Sequence, residues 1–191
     1  MRNALSVISG VLFFVAYVPY IRAILNRKAT PSKASWIIWA SIDIITVAGM
    51  FAKHTLNGQI IGAALGSVMV AFLTLKYGEP GWTKLDKFCL FGALLGIVLW
   101  LTFDNPVLAI MTSMTMVFIG GIPTLKSAWR DTNNEDPVAW TLFWLSCVVA
   151  MFAIPRWTLA DAAQPITFTV FETIMMYLLF IRPRFHRQIT Q

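Results

Sequence analysis

The chain has 191 residues, 58% of them hydrophobic and 13% charged, and its mean hydropathy is +0.69. Soluble domains run at about 45–50% and about 25%, so a soluble enzyme is excluded, and the length suits one domain. The net charge of +6 is spread in small groups beside apolar runs, as membrane-flanking charges are, which excludes a nucleic-acid surface.

Seven apolar runs approach the roughly 20 residues that cross hydrocarbon. They cover roughly 4–25, 35–53, 58–76, 85–103, 106–129, 138–154 and 160–181. The first is longer than the apolar core of a signal peptide and lacks a small-residue cleavage site, so it is read as a helix. It carries Tyr17 and Pro19. On the second, Trp36, Trp39, Asp43, Thr46 and Met50 are spaced to share one helix face. Two large aromatics and an acid on one face suit a cavity wall better than lipid tails. On the third, Gly58, Gly62 and Gly66 recur every four residues and predict close helix packing. The fourth carries Cys89. The fifth carries Gly120-Gly121 just before Pro123. Trp140, Phe143, Trp144, Cys147 and Met151 make a matching face on the sixth, and Gln164, Phe168, Glu172 and Met176 share a face on the seventh. No run alternates as a barrel strand does. The expected fold is therefore all-α integral membrane, with seven transmembrane helices.

Asp43 and Glu172 each fall about midway along a run. An acid at that depth is a functional candidate by default, and no basic residue lies at the same depth to neutralise it. Both are expected to bind substrate and to carry a coupling proton, since a carboxyl held away from water readily takes one up. Trp39, Trp144, Cys147 and Phe168 are expected beside them in the substrate site. Trp36 and Trp140 have two readings, as cavity wall or as interfacial anchors. Trp82, Trp100, Trp129 and Trp157 read as interfacial. The two cysteines lie in apolar runs and suggest neither a disulfide framework nor a zinc site. Met111, Met114, Met116, Met175 and Met176 read as adaptable core residues. His54 and His186 have no evident metal partner, and no metal or cofactor is expected. Neither end carries a lipidation motif.

Lys and Arg set the expected orientation. Twelve of the fifteen, including Arg22, Arg27, Lys28, Lys76, Lys126 and Arg184, flank the first, third and fifth connections or lie in the tail, and only Arg2, Lys53 and Arg156 lie opposite. The N-terminus is expected outside and the C-terminus in the cytoplasm.

A shift of 104 residues places Pro19 on Pro123, Arg22 on Lys126, Trp36 on Trp140, Trp39 on Phe143 and Asn57 on Asp161 without a gap. The period spans four helices, an even number, so both copies share one orientation. This predicts two parallel three-helix repeats, 1–80 and 105–191, joined by a linker helix in 81–104. Parallel repeats are a transporter architecture.

With Tyr17-Val18-Pro19-Tyr20 and Gly120-Gly121-Ile122-Pro123-Thr124, each followed by a short loop and then Trp36 or Trp140, the chain resembles the SWEET and PQ-loop transporters. The Pnu-type vitamin transporters are more distant. Tyr20 and Thr124 stand where PQ-loop proteins carry glutamine. The resemblance implies that Pro19 and Pro123, with Gly120 and Gly121, act as hinges, while Tyr17 has the place of a gate. It also implies that the third and seventh helices supply polar groups to a central site, which puts Glu172 in that role beside Ser67 and Val68.

The expected function is transport of a small polar or cationic solute by alternating access. Sugars, vitamins, nucleosides and amino acids are of the right size, and protons are the candidate coupling ion. The alternative is a seven-helix receptor or sorting protein that binds without transport. No metalloprotease or esterase motif points to an enzyme. The expected setting is a bacterial inner membrane, with a monomer able to enclose the path and an oligomer left open.

Overall fold

The computed structural model describes residues 1–79, 82–103 and 105–183. The side chains of Cys89 and Trp100, together with Arg184, His186 and Arg187, lie outside the described residues. Seven helices follow the seven apolar runs closely: α1 (Arg2–Leu25), α2 (Lys33–Ala52), α3 (Gly58–Tyr77), α4 (Lys84–Phe103), α5 (Pro106–Arg130), α6 (Pro137–Ala153) and α7 (Leu159–Met176). Among the described residues there is no strand. A single 3₁₀ turn, Thr132–Asn134, precedes α6, and a π-helical turn, Tyr177–Ile181, prolongs α7. Four helices are long and apolar enough to cross a membrane, namely α1, α2, α3 and the prolonged α7. The α6 helix is apolar but has 17 residues.

Local chemistry explains the helix starts. Ser32, Asn57, Asn105, Asp136 and Thr158 each accept a hydrogen bond from a backbone N–H of the first turn. Pro106 and Pro137 open α5 and α6, where a missing N–H costs nothing. The 104-residue shift is visible in the backbone. The α1 and α5 helices begin at Arg2 and Pro106, α2 and α6 at Lys33 and Pro137. The loops after α1 and α5 also meet at equivalent positions, where Thr30 N donates to the Asn134 carbonyl at 3.0 Å and Thr30 Oγ1 to Asn134 Oδ1 at 3.1 Å. Pro19, Pro123 and also Pro165 lie inside helices that continue through them.

Six helices close a ring in the order α1, α3, α2, α5, α7, α6 and back to α1, and α4 packs outside it on α5 and α2. The ring maps onto itself when α1, α2 and α3 are exchanged for α5, α6 and α7. Its exterior is apolar, with Val7, Val11, Phe72 and Phe152 exposed, and its interior holds Ser9, Asp43, Thr46, Gln59, Ser67, Gln164 and Glu172. That is the inverse of a soluble protein.

Two seams hold α1 in the ring. Against α3 the backbones touch. A Cβ on Gly10 would stand inside contact distance of the Gly58 carbonyl, and one on Gly62 inside that of the Gly10 carbonyl. The expected packing role of Gly58 and Gly62 is thus met by Gly10 across the seam. Against α6, Ser9 Oγ donates to the Ser146 carbonyl at 2.9 Å and Ser146 Oγ to the Ser9 carbonyl at 2.8 Å. Both serines are fully buried. Ser9→Ala and Ser146→Ala are each expected to lower stability by about 0.6–1.7 kcal/mol. The two losses should be less than additive, because the bonds share one site. Thermal melts of the single and double variants read this directly.

Candidate functional site

A cavity lies inside the ring, lined by Phe13, Tyr17, Trp36, Trp39, Asp43, Ala63, Ser67, Val117, Trp140, Phe143, Phe168, Phe171 and Glu172. Four pairs in that lining are related by the 104-residue shift: Phe13 with Val117, Trp36 with Trp140, Trp39 with Phe143, and Ser67 with Phe171. Asp43 and Glu172 break the symmetry, since their counterparts are Cys147 and Val68.

The aromatic wall is closely packed. Tyr17 lies flat over Gly66, where a Cβ would penetrate its ring, and its Oη donates to the Ala63 carbonyl at 3.1 Å. Phe13 and Phe143 meet at a tilt of 44° with 4.7 Å between centroids, and Tyr17 meets Phe143 edge-on at 4.9 Å. Trp39 Nε1 donates to the Val117 carbonyl of the neighbouring α5 at 3.1 Å. Gly121 gives room to Phe171 and Trp39, and Gly120 to Ile38. In this conformation the glycine pair beside Pro123 therefore seats the cavity wall.

Asp43 and Glu172 are 4% and 6% exposed. Glu172 Oε2 is buried without a hydrogen-bond partner. The ion pair found among the described residues, Arg156 with Asp161 at 3.1 Å, lies at another level of the ring. Neither cavity acid is paired with a lysine or arginine among the described residues, so the cavity presents an acidic, aromatic interior.

The placement of the other expected residues is mixed. Trp36 and Trp140 are 3% and 2% exposed and line the cavity. Trp82, Trp129 and Trp157 stand at the surface. Phe168 lines the cavity. Trp144 and Cys147, expected on the wall, are not part of it. Trp144 turns toward α7, its Nε1 donating to Thr173 Oγ1 at 3.1 Å. Cys147 is fully buried nearer the N-terminal end of the ring, 3.2 Å from Gln59 Nε2. The physical reason is the width of a helix face. Phe143 and Trp144 are adjacent in sequence and about 100° apart, and only the position of α7 decides which of them meets the axis.

The cavity measures about 40 Å³. A water needs roughly 10–15 Å³ by this measure, and small-molecule sites run to roughly 300–1,000 Å³. In this conformation it has room for a few waters and not for a solute. At the N-terminal end a vestibule of about 340 Å³ is lined by Arg2, His54, Asn57, Gln59, Arg156 and Asp161 among others. Buried amides form its floor. Gln164 Nε2 donates to Gln59 Oε1 at 3.0 Å, and Asn57 Nδ2 donates to Gln164 Oε1 at 2.9 Å.

The opposite, basic end is shut by a network absent from the sequence expectations. Glu135, in the loop before α6, is 2% exposed. Its Oε2 accepts from Tyr20 Oη at 2.8 Å and from Trp140 Nε1 at 2.9 Å, while Trp36 Nε1 donates to Tyr20 Oη at 3.2 Å. The carboxyl ties the loop to α1 and α6, and Tyr20 brings in α2. Tyr20 is fully buried.

Comparison with protein-family models, with curated proteins and with solved structures gives no match.

Proposed function

We propose that this chain is an integral membrane transporter that moves a small polar or cationic solute by alternating access through the six-helix ring. In this reading the N-terminus lies outside, the C-terminus lies in the cytoplasm, and the basic end of the ring is the cytoplasmic one. The two ring halves are parallel three-helix repeats that rock about α1 and α5 near Pro19 and Pro123, and α4 is the linker. The apolar exterior and polar interior support insertion.

One observation carries the proposal. Two buried acids, without a basic partner among the described residues, line a narrow aromatic cavity inside the ring. A carboxylate kept in such a place without a counterion is a cost to folding, of several kcal/mol for a charged group. A cationic solute or a coupling proton offsets that cost when bound, and the tryptophan faces add cation–π attraction. The serine and tyrosine oxygens on the same wall suit a polar solute. The resemblance to SWEET and PQ-loop transporters is in accord with this reading.

Two measurements test it. Purified protein is melted against sugars, cationic vitamins, nucleosides and amino acids. A ligand at 100 times its dissociation constant stabilises by about 2.7 kcal/mol. The same ligand is then followed into sealed vesicles holding the protein. Saturable uptake is expected. Binding without flux would sink the transport reading in favour of a receptor.

A further inference from the structure

The network at the basic end of the ring is built around an acid that the proposed transport step does not use. Glu135 Oε2 is satisfied twice over, but Oε1 is buried and has no partner. The groups around it are poor company for a negative charge. Tyr20 faces it from α1 and Trp36 stands behind from α2. Asp136 and Trp140 flank it at the start of α6, Glu79 stands beyond the end of α3, and Glu172 acts from α7. Glu79 Oε1 accepts from Ser127 Oγ of α5 at 2.6 Å. No lysine or arginine among the described residues lies within ion-pair distance of Glu135. An ionised carboxylate here would keep one oxygen dry and unpaired among like charges, which is the costly arrangement. A neutral carboxylic acid fits the pocket.

We propose that Glu135 is a proton-operated latch: the seal at the basic end holds while its carboxyl is protonated, and parts when the proton leaves to water and the carboxylate hydrates. This rests on the alternating-access reading, and it deepens that reading by placing a proton site at the gate rather than in the cavity. The balance is simple. In the closed ring the carboxyl carries one proton. On opening, the O–H bond breaks, the proton passes to water at the basic end, and Tyr20 Oη and Trp140 Nε1 lose their shared acceptor.

The electrostatics agree in direction. Burial pushes the Glu135 carboxyl up from 4.5 to about 7, against the opposing hydrogen bonds from Trp140 and Tyr20. A group whose value is raised in the closed state favours closure fully below the ordinary carboxyl range. That help is lost as pH rises through about 7. Acid therefore shuts the gate and alkali releases it.

The test reads the gate without reading transport. The full chain, carrying 5-fluorotryptophan, is followed by fluorine NMR with a soluble gadolinium chelate. The Trp36 and Trp140 signals are assigned by Trp36→Phe and Trp140→Phe. Wild-type broadening of both signals by the chelate should rise on the order of tenfold between pH 5 and pH 8. In Glu135→Gln it should stay low throughout, since the amide mimics the neutral acid. In Tyr20→Phe the midpoint should move to higher pH, because a hydrogen bond that favours the carboxylate is gone.

Broadening that is flat with pH in the wild type overturns the latch, and so does a Glu135→Gln profile that follows the wild type. If Glu135→Gln does not fold, Tyr20→Phe decides, and an unmoved midpoint overturns it. A pH-gated seal lost in Glu135→Gln, in a protein that gives no flux, leaves the latch standing and removes the transport reading. Flux through a protein whose seal ignores pH removes the latch alone.

Discussion

On the proposed transport reading, the Glu172→Gln substitution is expected to reduce solute flux about 100-fold while leaving the fold intact. Glutamine keeps the shape of the side chain and removes its charge. Glu172 Oε2 has no protein partner, so no internal bond is lost. What is lost, on that reading, is one of the two acidic groups, with Asp43, that attract a cation or a coupling proton into the cavity. Removing one member of a buried charge pair costs roughly 2–5 kcal/mol, and about 2.7 kcal/mol is a factor of 100. Asp43→Asn should act in the same direction. If both acids hold one cation, the double variant should fall little below either single one, since sites that share a partner are not additive. Initial uptake rates in sealed vesicles, with melting as the control for folding, decide this. Uptake unaffected by both substitutions would remove both acids from the mechanism.

The largest effect on stability is expected at the α1–α3 seam. Gly10→Val should cost about 3 kcal/mol or abolish folding. The atoms that a side chain at Gly10 would meet belong to the backbone of Gly58, so no rotamer relieves the clash and the two helices must separate. Overpacking that side chains can absorb costs roughly 1–3 kcal/mol, and here the seam itself opens. Gly66→Ala offers a graded comparison. Its obstacle is the Tyr17 ring, which can swing aside at the loss of its bond to the Ala63 carbonyl. A neutral control is Val11→Ala on the exposed face of α1, where changes stay within roughly 0.5 kcal/mol. Thermal melts rank the three. A Gly10→Val protein that melts with the wild type would show that α1 and α3 do not need their close approach.

Much of the architecture was legible because it rests on local rules. Seven runs of apolar residues give seven helices, since chain length and hydropathy are properties of each segment alone. The caps at Ser32 and Asp136 act within one turn. The repeat was readable from Pro19 and Pro123 and from Trp36 and Trp140, and the same shift relates the starts of α1 and α5, those of α2 and α6, and four wall pairs of the cavity. Asp43 and Glu172 stood out because an acid in the middle of an apolar run has no bland local explanation.

Other features depend on partners that no local pattern names. Glu135 sits in a loop with Asn133, Asn134 and Asp136, a composition that reads as solvated chain. Its burial is created by Tyr20, 115 residues away, and by the closing of the ring. Gln59 and Gln164 meet across 105 residues, and Ser9 and Ser146 across 137. Phe143, Trp144 and Cys147 belong to one broad helix face, yet only Phe143 reaches the cavity. Which part of that face turns inward was settled by the neighbouring helices. Sequence by itself determined the helices, their register and the two cavity acids, because each follows from interactions within a turn or a span. Only the tertiary structure decided which polar groups share the axis, since desolvation and pairing across the ring exist nowhere until it closes.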